Sequence, residues 1–249
     1  MTRPTAARPA KREMPIADLQ TQPAILSKSV FSGPIAIADD DAEQAAVIAE
    51  LVSTIDLEPM VLEGPFPTLE GFTSEVMDRA AALVCDHKLS SGRFAEFYGA
   101  EAVAALYGKK PAVLLTSFLN TEEVLFIRRF RRSIPAVLAR PQLDDPQMLH
   151  DALLVGVAEL QGFLAPERLA VRTIARIDSL DTAGNVANVF VESWQSEAVP
   201  LQIIQIPEEY REKILSDLAF TAYVNTAARE NSDLYFERIT PAPEPVDDI

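Results

Sequence analysis

The sequence predicts an α/β protein: a five-stranded doubly wound parallel sheet followed by a small α+β unit. Three observations carry this. Short apolar runs alternate with helix-patterned stretches five times within about 130 residues, the signature of βαβ units around a parallel sheet. Three of the runs stop abruptly on polar groups: residues 81–86 end on Asp86, residues 34–38 run into Asp39-Asp40-Asp41, and residues 111–115 run into Thr116-Ser117. Beyond Gly162 the pattern changes to the period of two expected of half-buried antiparallel strands.

The elements follow in order. Residues 1–32 are rich in proline and alanine with a basic bias, and read as a flexible arm in which Ala24-Ile25-Leu26 could add an edge strand. The first strand covers residues 34–38. Ala45, Ile48, Ala49, Val52 and Ile55 then recur at the spacing of one buried helix face. Residues 58–64 read as a short second strand, and residues 68–79 as a helix with Leu69, Phe72, Val76 and Met77 inward. After the strand ending at Asp86 comes a loop over residues 87–93 with Ser90-Ser91-Gly92 as its turn, then a helix over 94–107 closed by Gly108. The fourth strand ends at Thr116 and leads to a helix over 121–133. A fifth strand, residues 134–139, ends at Arg140-Pro141. Asp144 and Asp145 before Pro146 mark the start of a helix reaching Phe163.

In the second unit, residues 171–177, 186–194 and 201–206 alternate as strands, with residues 181–185 as a hairpin loop. Pro207-Glu208-Glu209 opens a helix with Ile214, Leu215, Leu218, Ala219 and Ala222 as its buried stripe, and residues 234–239 alternate once more. The expected organisation is therefore an arm (1–32), a first domain (33–164), a β-β-β-α-β domain (165–240) and a disordered acidic tail (241–249).

Composition excludes several classes. The chain has 249 residues, 48% hydrophobic and 24% charged, in the ordinary range of a soluble globular protein. A net charge of −15 opposes general nucleic-acid binding, which depends on neutralising phosphates. No apolar run is long enough to span a membrane. Arg3, Arg8, Lys11 and Arg12 are not followed by the apolar core of a secretory signal. One cysteine and two histidines exclude an internal disulfide and leave little for a zinc site. A cytoplasmic protein is expected.

Three carboxylates and a hydroxyl at one sheet edge, where open α/β sheets bind ligands, are the candidate chemistry. Mutually repelling carboxylates are relieved by a hard divalent cation, and phosphoryl transfer needs mainly positioning and neutralisation of charge. The acidic pair Asp39-Asp40, Asp86, Thr116 and Arg140-Pro141 stand after strands one, three, four and five. In this the first domain resembles the receiver domain of two-component response regulators, a flavodoxin-like sheet of order 2-1-3-4-5. The resemblance implies that Asp86 accepts a phosphoryl group from a histidine kinase or phosphotransfer protein. It implies that Asp40, Asp86 and the backbone of Lys88 hold Mg²⁺, with Asp39 helping through water, and that Thr116 binds the phosphoryl oxygens. Arg140 would be the basic residue of the site.

The sequence departs from the family pattern at three points. Arg140 stands where lysine is usual, and its planar fork can pair with Asp86 at rest. Lys88 adds a second cation near the metal site. Val137 lies where a switch aromatic is usual. The second domain carries no helix-turn-helix or enzyme motif, so the expected output is protein binding or homodimerisation rather than catalysis. A pseudo-receiver acting as a constitutive scaffold is the alternative. A haloacid dehalogenase-type phosphatase using Asp39 and Asp41 is a third, although Glu43 stands where threonine or valine is expected. Cys85 reads as a packed thiol, His87 as a loop histidine, Trp194 as core, and Arg128, Arg129, Arg131 and Arg132 as a solvated face or the contact of an acidic or dimer partner.

Overall fold

The computed structural model describes residues 30–89, 94–117, 120–181 and 183–243. The arm up to residue 29, its suggested edge strand, the Ser90-Ser91-Gly92 turn and the tail from residue 244 lie outside the described residues. The first unit is a parallel sheet of strands β1 (Ile35–Ala38), β2 (Pro59–Val61), β3 (Ala82–Asp86), β4 (Ala112–Thr116) and β5 (Ala136–Ala139). Its order is β2-β1-β3-β4-β5, the flavodoxin-like arrangement. Every residue of β1, β3 and β4 is buried, which is why they read as unbroken apolar runs. Helices α1 (Ala42–Thr54), α2 (Leu69–Arg79), α3 (Gly99–Leu106), α4 (Thr121–Arg128) and α5 (Pro146–Leu160) cover the two faces. Ala36, Leu83 and Leu114 pack with Phe72, Val76 and Val103 on one side, while Ile37, Val84 and Leu115 pack with Ile48, Val52 and Leu153 on the other.

The second unit is an antiparallel sheet of β6 (Val171–Asp181), β7 (Val186–Val191), β8 (Val199–Gln202), β9 (Ala219–Val224) and β10 (Phe236–Pro241), in the order β10-β9-β6-β7-β8. One helix, α6 (Glu208–Asp217), supplies Ile214 to its core.

Four elements differ from their sequence expectation. Residues 94–98 are not helical: Ala95 pairs with Phe66 in an isolated bridge, and helix geometry begins only at Gly99. The helix expected over 121–133 stops at Arg128 and resumes as a 3₁₀ turn, Arg131–Ser133. Leu218 adopts a left-handed conformation (φ 52°) that ends α6, so Ala219 and Ala222 belong to strand β9 and not to a helical stripe. The strand expected over 201–206 is β8 followed by a 3₁₀ turn, Ile203–Gln205. Met77, expected inward, is 38% exposed.

Candidate functional site

Strand register builds the site. In the β1/β3 pair Ala38 stands opposite Cys85, so the next residues, Asp39 and Asp86, stand side by side at the carboxyl edge of the sheet. Asp86 stands opposite Leu115 and Thr116 opposite Ala139, which delivers Thr116 and then Arg140 to the same rim. The β1/β3 gap is also the topological switch point of this sheet order, where crevices form in open α/β folds.

Arg140 organises the pocket. Its Nη2 donates to Asp39 Oδ2 at 2.7 Å and to Asp86 Oδ1 at 2.6 Å, while Nη1 donates to Gln44 Oε1 on α1 at 2.9 Å. The second Asp86 oxygen, Oδ2, accepts the Lys88 amide N–H at 2.7 Å. Asp39 Oδ1 accepts the Asp41 amide at 3.0 Å. Asp39 and Asp86 are both buried, and Asp40 beside them is half-buried. Burial pushes the Asp86 carboxyl above its ordinary value, against the pull of Arg140 and of the Lys88 amide, with the negative charge of Asp39 adding to the rise.

Lys88 and Thr116 lead away from the two aspartates. Lys88 Nζ forms an ion pair with Glu123 Oε1 at 2.7 Å, and the Thr116 hydroxyl lies 3.4 Å from Glu123 Oε2. Glu123 sits in the first turn of α4, its amide capped by Asn120 Oδ1 at 2.9 Å, and it is buried. His87 is buried too, stacked 5.5 Å from the Tyr98 ring and 5.6 Å from Phe126 of α4. Burial holds its imidazole below the ordinary value. Cys85 is fully buried, and desolvation, then Asp86 and Asp39, push its thiol up, which leaves it a packing group.

The fit of a Mg²⁺ ion follows from the donor set. Among the described residues no three acidic, histidine or cysteine side chains converge as a cation site. The point between Asp39 and Asp86 is filled by the Arg140 guanidinium, and both Asp86 oxygens already accept hydrogen bonds, one from Arg140 and one from the Lys88 amide. In this arrangement the residues do not fit Mg²⁺, which needs near-octahedral oxygen ligation.

Glu123 was not among the residues that sequence reasoning singles out, since an acid in the first turn of a helix reads as a response to the helix dipole. Nor was the role of Gly99. A Cβ at Gly99 would lie 1.9 Å from the Asp86 carbonyl oxygen, and the Gly99 amide donates to His87 O at 2.9 Å. Gly99→Ala is therefore expected to destabilise by about 1–3 kcal/mol or more through forced displacement of the Asp86 backbone, measured by chemical denaturation. An unchanged midpoint would show that α3 can slide away without cost.

Of the four arginines of α4 and the turn after it, Arg129 is exposed as expected, whereas Arg128 and Arg131 are buried and Arg132 is half-buried. Arg128 is 1% exposed and enters the second unit. Its Nε donates to Leu234 O at 3.2 Å, its Nη2 to Asn231 O at 2.6 Å and Asn231 Oδ1 at 2.5 Å, and its Nη1 to Pro200 O. Arg131 pairs with Asp233 at 2.9 Å. Arg168, between the two sheets, holds Glu159 at 2.8 Å and the carbonyls of Arg131 and Arg132, each at 2.8 Å. For Arg128 and Arg131 the expectation of a solvated run is corrected by this intramolecular contact. Trp194 is half-buried and packs against the second core, its Nε1 donating to Ala228 O at 2.8 Å.

The first unit is a 2-1-3-4-5 parallel sheet with acids at the ends of β1 and β3, a threonine ending β4 and a basic residue after β5, a flavodoxin-like fold of the receiver-domain kind. Solved structures similar to it are of that kind. The receiver domain of a modulated diguanylate cyclase from Desulfovibrio desulfuricans is 18% identical, covers 51% of this chain and 95% of its own, and has a TM-score of 0.41. The receiver domain of an HD domain-containing protein from Pseudomonas fluorescens is 14% identical over 52% of this chain and 98% of its own, TM-score 0.39. A response regulator receiver protein from Clostridium thermocellum is 14% identical over 52% and 97%, TM-score 0.39. No family model and no curated protein matches the chain.

Proposed function

We propose that the chain is a signalling regulator of the response-regulator type and not an enzyme, with Asp86 as its phosphoryl-accepting carboxylate. The observation that supports this is the convergence of Asp39, Asp86 and Arg140 beside the switch point of the parallel sheet, with Thr116 ending the next strand on the same rim. A phosphodonor, in the cell a histidine kinase or phosphotransfer protein, would be attacked at phosphorus by an Asp86 oxygen. The bond from phosphorus to the donor breaks, its electron pair leaves with the donor, and an acyl phosphate remains. Arg140 neutralises charge on the acceptor and Thr116 stands at the same rim, so the chain's own residues supply the positioning that this reaction requires.

A second reading has its own observation. Arg140 already takes the cation's place between Asp39 and Asp86, and a pocket neutralised in this way suits a pseudo-receiver that scaffolds without phosphorylation. The phosphatase reading is disfavoured, because the Asp41 carboxylate caps α1 by accepting from the Glu43 and Gln44 amides, away from Asp39 Oδ2.

Intact mass after incubation with acetyl phosphate and Mg²⁺ separates the two. A labile gain of one phosphoryl group on wild type and none on Asp86→Asn is expected. No adduct under forcing donor concentrations selects the pseudo-receiver. Among the described residues no helix is long and apolar enough to cross a membrane.

A further inference from the structure

We propose that Glu123 is the positioning residue that ties the Asp86 pocket to the second unit, and that α4 carries the state of the pocket there as a short rigid lever. This rests on the reading of Asp86 given above and adds the route by which its state is reported. Glu123 spans two groups of the pocket rim, the Lys88 ammonium at 2.7 Å and the Thr116 hydroxyl at 3.4 Å. Five residues on, Arg128 of the same helix is locked into the carbonyls of Pro200, Asn231 and Leu234. At about 1.5 Å rise per residue, the two anchors lie roughly 7.5 Å apart on one hydrogen-bonded rod, so neither end can shift alone. Between them Phe126 packs 4.6 Å from Tyr98 and 5.6 Å from His87, the residue next to Asp86.

The two partners of Glu123 are the groups that a phosphoryl on Asp86 would attract. It adds about 1.5–2 negative charges and three strong acceptor oxygens. Lys88 is mostly exposed on its side chain and can swing; Glu123, at 7%, cannot reach bulk water to replace it. Losing Lys88 and Thr116 together leaves a buried carboxylate unpaired, which is costly and drives the first turn of α4 outward. Arg128 then moves with it, and the second unit loses its plug.

Hydrogen exchange of the full chain tests this, read at residues 231–236 with and without acetyl phosphate and Mg²⁺. Intact mass reports adduct formation on the same samples. The expected result is at least a threefold faster exchange at 231–236 once wild type carries the adduct. Glu123→Ala should show that faster exchange without donor and no further response. Glu123→Gln, which keeps one acceptor oxygen but loses the other and the charge, should fall between. Adduct formation with unchanged protection at 231–236, or a full response in Glu123→Ala, overturns the lever and leaves the Asp86 assignment intact. If no adduct forms, the Asp86 assignment fails, and the unmodified variants still decide: faster exchange at 231–236 in Glu123→Ala supports the lever, provided protection of residues 45–52 is unchanged. Exchange equal to wild type, or loss spread equally over residues 45–52, overturns it.

Discussion

Arg140→Ala should lower the unfolding free energy by about 3–5 kcal/mol at neutral pH, the cost typical of removing one partner from a buried ion pair. Asp39 and Asp86 are side-chain exposed by only 1% and 8%, and Arg140 itself by 20%, so water cannot take over the guanidinium's task. The loss should depend on pH with a definite sign. Burial raises the folded-state pKa of Asp86, so between its unfolded and folded values the native state holds more protons than the unfolded chain. Stability therefore falls as pH rises through that window, and the full penalty is present only above the folded pKa. Without Arg140 the main opposing influence is gone, the folded value rises further and the window widens upward from the ordinary carboxylate range. Denaturation midpoints from pH 4 to 8 should diverge between wild type and variant as pH rises. Parallel curves would show that the guanidinium is structurally replaceable. Arg140→Lys separates stability from occupancy: an ammonium keeps the charge but has no second nitrogen to hold Gln44 as Nη1 does, so it is not fixed between the two carboxylates. That variant should fold, and should bind Mg²⁺ more tightly than wild type in calorimetry, because a cation no longer anchored to Gln44 is more easily displaced from between the carboxylates.

How much of this could be read from residues alone follows from what burial does to sequence. Strands β1, β3 and β4 are covered on both faces, so their composition is nearly pure and their ends are sharp; Asp86 and Thr116 stand out because a polar group follows such a run. The rim was legible for the same reason, and so was the chance that Arg140 would pair with Asp86. Position 94 onward was not. Phe94 and Phe97 are buried, as in a helix face, yet residues 94–98 run irregularly against Phe66 before Gly99 meets the Asp86 backbone. Strand β9 was hidden because Ala219 and Ala222 also fit the preceding helical stripe, and the turn between them is a left-handed Leu218 rather than a glycine. Arg128 was the least legible of all. Three of its four acceptors are neutral main-chain oxygens, two of them more than a hundred positions away, and such acceptors leave no trace in composition or spacing.

That invisible contact carries the other large effect. Arg128→Met, which keeps the aliphatic stem but removes every donor, should cost at least about 3 kcal/mol, since hydrogen bonds to a charged group contribute about 1.5–3 kcal/mol each and stranded buried acceptors add to the loss. Desolvation pushes the Arg128 guanidinium down to about 10, still far above neutrality, so the group in the interface is a cation held by dipoles alone among the contacts described. Arg128→Lys should recover less than half of the loss, because three rotatable donors on a compact head cannot reach Pro200, Asn231 and Leu234 together. The two sheets have separate cores, and once Arg128 is gone the ion pairs Arg131–Asp233 and Arg168–Glu159 are too few to make them unfold as one. Unfolding of Arg128→Met should accordingly split into two transitions followed separately, the second unit by Trp194 fluorescence and the first by far-ultraviolet circular dichroism after Trp194 has responded. A single transition at the wild-type midpoint would mean that the remaining contacts join the units and that the buried arginine is dispensable to them.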